Sequence, residues 1–138
     1  MPTYRAPRRD IQFVMHEVLD MASHYQSIPG GEDVDAEMID AIMEEGAKFA
    51  ENVIAQLNAS GDAEGCSWND GVVTTPAGFK EAYNQFIEAG WPSLAHKPEL
   101  GGQGLPESLG TMLNELTGTA NWSWSMYPGL SHGAMNTL

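Results

Sequence analysis

The apolar residues of this chain recur at helical spacing along most of its length. Ile11, Val14, Met15, Val18, Leu19, Ala22 and Tyr25 follow three- and four-residue steps. This predicts a first helix over about 10–25 with Asp10 as N-cap, ended by Ile28-Pro29-Gly30-Gly31. A second stripe runs through Met38, Ile39, Ile42, Met43, Gly46, Phe49, Ala50, Val53, Ile54 and Leu57. It predicts a longer helix over about 35–58, stopped by Ser60-Gly61. The helical period then lapses. Cys66-Ser67-Trp68-Asn69 and Val72-Val73-Thr74-Thr75 flank Asp70-Gly71, a pair suited to a type I′ turn. A short hairpin or an irregular flap is expected near 61–75.

Thr75 as N-cap and Pro76 at the first helical position open a third helix, with Phe79, Ala82, Tyr83, Phe86 and Ile87 on its face and Gly90 closing it. The segment from Trp91 to Leu105, rich in proline and glycine, reads as an extended loop. Pro106 starts a fourth helix carrying Leu109, Met112, Leu113 and Leu116. After Gly118 comes a fifth, in which Pro128 either kinks the helix or restarts it. The fold class is all-α, an orthogonal or up-down bundle of about five helices with the flap as its one exception. The last residues, Gly133 to Leu138, carry no capping signal, so the chain is expected to be one domain, 1–138, of a longer protein.

Charge narrows the function. Six basic residues face nineteen acidic ones, for a net charge of −13, and from Asp10 onward the bases are only Lys48, Lys80 and Lys97. Seven acids fall between Glu32 and Glu45 with no base among them, a solvated outer face whose first members favour the helix dipole. A field of this sign repels phosphate backbones, which argues against nucleic-acid binding and against an anionic cofactor held by this chain alone. No apolar run reaches the ~20 residues of a membrane span. The basic start, MPTYRAPRRD, has no apolar segment behind it and does not read as a secretory signal. A single cysteine, Cys66, excludes an internal disulfide framework and fits a reducing, cytoplasmic setting.

Candidate chemistry is sparse. Gly101-Gly102-Gln103-Gly104 invites a phosphate-loop reading, but no apolar strand precedes it, so a sharp turn with close backbone approach is the simpler account. His16, Asp20 and His24, four apart, lie on one face of the expected first helix, where a polar outer surface competes with a metal site. His96 and His132 have no sequence neighbour to orient an imidazole, and Cys66 has no local base, which favours a structural role. No nucleophile elbow, zinc-helix motif or dinucleotide fingerprint occurs, and none of Glu44, Glu45, Glu51 and Glu81 stands out as a general base. The stretch Trp122-Ser-Trp-Ser-Met-Tyr127 followed by Pro128-Gly129 suits either core packing or the wall of an apolar ligand slot.

Several ordered segments together resemble the N-terminal helical domain of the flavin-dependent acyl-CoA dehydrogenases. They are Gly90-Trp91-Pro92-Ser93-Leu94, Pro98-Glu99-Leu100-Gly101-Gly102-Gln103-Gly104-Leu105-Pro106, Glu115-Leu116, and Met126 through Ala134. Tyr4-Arg5-Ala6-Pro7, Asp10-Ile11-Gln12-Phe13 and Gly61-Asp62-x-Glu64-Gly65-Cys66 are similar to a long-chain subgroup that includes the methylthiopropanoyl-CoA dehydrogenases. Ala95-His96-Lys97-Pro98 departs from the Val-Pro-Glu-Glu type of approach usual before the glycine loop. The resemblance implies a parent enzyme of fatty acid metabolism that oxidises the Cα–Cβ bond of an acyl-CoA, passing hydride to FAD. It implies a catalytic base and most of the flavin site in domains beyond this one. It further implies electron-transfer flavoprotein or a similar acceptor, and a homo-oligomer. Within this chain it points to Met126, Tyr127 and Pro128 as a wall of the acyl pocket and to no catalytic residue and no metal. On that reading the chain alone is colourless and inactive, and self-associates through the apolar side of its fifth helix. The alternative is a self-contained acidic helical module that binds a partner through an aromatic patch.

Overall fold

The computed structural model describes residues 3–137. The last helix does not run uncapped to the end as its sequence implies: it ends at Met135, and the Asn136 N–H closes it on the His132 carbonyl. The fold is a helical bundle with one small hairpin, as expected. Its helices are α1 (Arg8–Gln12), α2 (Met21–Gln26), α3 (Ala36–Phe49), α4 (Asn58–Glu64), α5 (Phe79–Glu88), α6 (Glu107–Ala120) and α7 (Trp122–Met135). Strands β1 (Ser67–Asn69) and β2 (Val72–Thr74) pair antiparallel, with Trp68 opposite Val73.

The first predicted helix is broken. It starts at Arg8 behind Pro7, two residues before the expected cap at Asp10. From Phe13 to Val18 the turns widen to π geometry, and the Leu19 N–H bonds the Val14 carbonyl five residues back. Asp20 then takes a left-handed conformation, φ 45°, before α2 begins. The wide turn shifts the apolar register. Met15 and Tyr25 are buried, while Val14, Val18 and Leu19, expected on the core face, are exposed.

The second predicted helix runs further than its sequence signals indicate. Asp35 caps α3, its carboxylate accepting from the Met38 N–H at 2.8 Å. Ala50–Ile54 forms another π segment, Ala55–Leu57 a 3₁₀ turn, and α4 continues to Glu64. Ser60-Gly61 does not stop it. A Cβ on Gly61 would collide with the Phe79 ring, so this glycine is a packing contact inside the helix, and the chain leaves helical geometry at Gly65 instead.

The hairpin forms where the sequence places it. Asp70 and Gly71 both have positive φ, 46° and 82°, as a type I′ turn requires. The third helix begins later than Thr75-Pro76 implies. The Phe79 N–H bonds the Pro76 carbonyl in a turn, and Gly78, φ 82°, precedes α5. Helix α6 begins behind Pro106 as expected but continues through Gly118 to Ala120, and α7 passes through Pro128 without restarting.

The core lies between α3, α5, α6 and α7. Ile39, Met43, Ala50 and Ile54 meet Leu109, Leu113 and Leu116, and Gly46 lets Leu113 and Leu116 approach the α3 backbone. Trp124 sits at the centre with no exposed surface, its ring 5.4 Å from Phe86 and 5.7 Å from Phe49. Aromatic pairs of this kind contribute about 0.5–1.5 kcal/mol each beyond simple burial.

Candidate functional site

Helix α7 carries the residues singled out by the sequence, and Asn121 fixes where it starts. The Asn121 carboxamide oxygen accepts from the Trp124 N–H at 3.0 Å, while its Nδ2 donates to the Ile54 carbonyl at 3.1 Å. Trp124 adds a second tie, donating from Nε1 to the Phe79 carbonyl at 3.2 Å. These bonds hold the first turn of α7 against α5 and the end of the α3 segment. The rest of the helix is thereby aimed, and its outward face becomes a fixed surface.

That face is apolar. Trp122, Met126 and Leu130, four residues apart, align along one side of α7 and are 71%, 47% and 70% exposed. The serines between them point elsewhere, and Trp124 takes the opposite side into the core. The core-packing reading holds for Trp124 alone. Trp122 and Met126 are uncovered surface.

Met126, Tyr127 and Pro128 do not converge on one cleft of this chain. Consecutive helical residues are turned about 100° apart, so three in a row face three directions. Met126 belongs to the exposed stripe. Tyr127 packs edge-on against Phe79, with ring centroids 6.1 Å apart, and borders a cleft of about 460 Å³ beneath the hairpin. Phe79 and Tyr83 continue the aromatic side of this cleft, and Thr74, Thr75 and Lys80 stand along it. Pro128 faces a second cleft, of about 260 Å³, between α7 and the glycine-rich loop. Tyr83 borders both.

The Tyr127 hydroxyl lies 3.6 Å from the sulfur of Cys66. This hydrogen bond, then burial, then the neighbouring sulfur's charge raise the Tyr127 hydroxyl above its ordinary value of 10.0. Cys66 is exposed at the base of the hairpin.

The glycine loop is a knot of backbone contacts. Gly102 N–H donates to the Lys97 carbonyl, Gln103 N–H to Ser93, Gly104 N–H to His96 and Leu105 N–H to Leu94. The Gln103 side chain donates to the Gly90 carbonyl at 2.9 Å. A Cβ at Gly102 would collide with the His96 carbonyl. These amides are turned inward and form no cradle for a phosphate, so the loop serves as a close-approach turn.

Folding also supplies neighbours that the sequence does not show. The rings of His96 and His132 lie 5.1 Å apart in the second cleft, and His132 Nε2 is 3.2 Å from a Glu107 carboxylate oxygen. The three residues come from the loop, α7 and the start of α6, and only an i, i+4 contact to Asn136 was local enough to read beforehand. His16, Asp20 and His24 fare differently. The left-handed residue Asp20 breaks the helix between them, so the shared face inferred from their spacing does not exist, and His16 bonds Asp40 at 2.9 Å. Among the described residues no three His, Cys, Asp or Glu side chains gather as metal ligands, and no helix is long and apolar enough to cross a membrane.

No protein-family model matches the sequence. Individual proteins do. Over 136 residues, 99% of the chain, it is 37% identical to 3-methylmercaptopropionyl-CoA dehydrogenase of Ruegeria pomeroyi, and it spans 23% of that protein. It is 30% identical to the broad-specificity linear acyl-CoA dehydrogenase FadE5 of Mycobacterium tuberculosis, over 94% of the chain and 21% of the relative. Butyryl-CoA dehydrogenase of Syntrophomonas wolfei is 35% identical over 63% of the chain and 15% of its own length. The chain is related to the acyl-CoA dehydrogenases. It spans less than a quarter of the length of these curated relatives.

Proposed function

We propose that the chain is the N-terminal helical domain of an FAD-dependent acyl-CoA dehydrogenase that oxidises the Cα–Cβ bond of acyl-CoA thioesters. The similarity to such an enzyme along 99% of the chain carries this reading. The reading is also supported by the exposed stripe Trp122, Met126 and Leu130, apolar surface of the kind that further polypeptide covers. The contribution of this domain is positional. A rigid α7, anchored through Asn121 and Trp124, carries Met126, Tyr127 and Pro128, whose differently directed sides help to wall an acyl pocket completed from outside the chain. Such a wall excludes water and aligns the hydrocarbon next to the reacting carbons. The base and the flavin's anionic contacts come from other domains, in keeping with the inward-turned amides of the glycine loop. Electron-transfer flavoprotein or a similar acceptor and a homo-oligomeric cytoplasmic parent complete the proposal.

A self-contained acidic interaction module draws on the same exposed stripe. Its weakness is that it leaves the whole-chain similarity to dehydrogenases without a cause. The test is to purify the product of the complete reading frame and titrate it anaerobically with saturated acyl-CoAs of several chain lengths. Loss of the flavin's visible absorbance on addition of substrate is the expected result. A colourless protein, or a flavin unaffected by every thioester, contradicts the proposal.

A further inference from the structure

A second apolar patch lies away from α7, on the widened turns that follow α1. Phe13, Val14, Val18 and Leu19 are between 43% and 58% exposed. In α geometry, residues five apart are turned about 140° from each other. Here the turn closes five residues back, which sets Val18 beside Phe13 and Leu19 beside Val14. The four side chains form one surface. The inner side of the same helical stretch is already occupied: Met15 enters the core, and Gln12 and His16 both reach Asp40, at 3.2 and 2.9 Å. Arg9, one turn before Phe13, and Glu17, one turn after it, stand exposed along the edge of the patch. Neither joins an ion pair among the described residues.

Charge identifies the occupant. Up to Asp20 the chain carries Arg5, Arg8 and Arg9 against Asp10, Glu17 and Asp20, whereas the remainder sets three lysines against sixteen of the nineteen acids. A second acidic copy therefore meets the least repulsion at this end. An anionic lipid surface would require a net positive face, which this balanced one is not. Two copies packed antiparallel about Phe13 bring each Arg9 opposite the Glu17 of the other. The two pairs are identical, and Phe13 and Val18 of both copies lie between them. Self-complementarity of this kind is what a two-fold interface requires.

We propose that this face, with Phe13 at its centre and Arg9 and Glu17 at its ends, pairs with itself in a two-fold, antiparallel dimer of the chain. The surface belongs to this chain alone, so the proposal does not depend on the dehydrogenase reading.

Sedimentation of the 138-residue chain over a range of concentrations tests it, with charge swaps at the two exposed positions. The wild type is expected to show a monomer–dimer equilibrium. Arg9→Glu and Glu17→Arg should each weaken it about tenfold, although they shift the net charge in opposite directions. Mixing the two variants in equal amounts restores the association as a heterodimer, because both crossing pairs are again opposite in sign. Phe13→Ser disperses the dimer, and Leu130→Ser, on the outer face of α7, leaves it intact. A chain that stays monomeric at every concentration, its patch then serving other polypeptide or a lipid surface, overturns the proposal. So does association that tightens in Glu17→Arg, that stays weak in the mixture, or that is lost in Leu130→Ser and kept in Phe13→Ser.

Discussion

Asn121 and Ile54, 67 residues apart in sequence, share a buried hydrogen bond of 3.1 Å at the point where a π segment gives way to a 3₁₀ turn. In the π segment Ala50–Ile54 and the 3₁₀ turn after it, the Asn58 N–H goes to the Ala55 carbonyl, not to Ile54. Where the turns change width, the Ile54 carbonyl accepts from the Asn121 carboxamide, whose oxygen also caps α7. One side chain thus ties the irregular stretch of one helix to the N-terminus of another.

Replacing Asn121 by Ala removes both bonds. A loss of about 1–3 kcal/mol is expected, the sum of a lost cap and a lost buried hydrogen bond. Asn121→Asp keeps the cap acceptor but turns a carboxylate oxygen toward the Ile54 carbonyl, so it recovers little. Denaturant unfolding of the two variants measures the difference, and a wild-type midpoint for either one contradicts the account.

Gly61→Ala is expected to destabilise by about 1–3 kcal/mol, because the added methyl meets the Phe79 ring in a packed interface. Had Gly61 been a helix stop, the same change would cost little at a site of helical geometry. A double-mutant cycle with Phe79→Leu separates the two accounts. Coupling between the positions supports the packing contact.

Tyr4 poses the opposite case. Its hydroxyl is buried without a hydrogen-bond partner among the described residues. Tyr4→Phe removes an unsatisfied polar atom and keeps the ring, so stability is expected to stay level or rise by up to about 1 kcal/mol. Thermal melts at neutral pH check this, and a marked loss of stability would show that the hydroxyl is satisfied in solution.

Alkaline pH weakens the fold through the tyrosines. Burial, then the charges of Glu51 and Glu115, raise the Tyr4 hydroxyl above 10.0. Burial raises that of Tyr25, with its bond to Ser108 partly opposing. For a group whose folded value is raised, the stabilising contribution is complete below the unfolded value and is lost as pH rises through the folded one. Unfolding free energy is therefore expected to hold up to about pH 10 and fall above it. Tyr4→Phe and Tyr25→Phe should each reduce that alkaline slope. Unchanged slopes in both variants would remove these tyrosines as the cause.

The sequence reveals most where local rules act alone. Apolar spacing locates Leu109, Met112, Leu113 and Leu116 of the fourth helix, though not the buried Thr117 and Ala120 of its last turn, and Asp70-Gly71 specifies its turn, since both depend on neighbours a few residues away. The π turns were not legible. The effect of the first is to rotate Val14, Val18 and Leu19 off the expected face. Ser60-Gly61 misled because the ring that requires the glycine lies 18 positions further on, at Phe79. At the site, the spacing of Trp122, Met126 and Leu130 already held the exposed stripe. The pairing of His132 with Glu107 and of Tyr127 with Cys66 required the fold.

The central claim is that the outer face of α7 is an interface covered by polypeptide beyond this chain. Hydroxyl-radical footprinting read by mass spectrometry tests it residue by residue. In the isolated chain, Trp122 and Met126 should label rapidly while buried Trp124 does not. In the product of the complete reading frame, Trp122 and Met126 should be protected as well. Equal labelling of Trp122 and Met126 in the two proteins would contradict the claim.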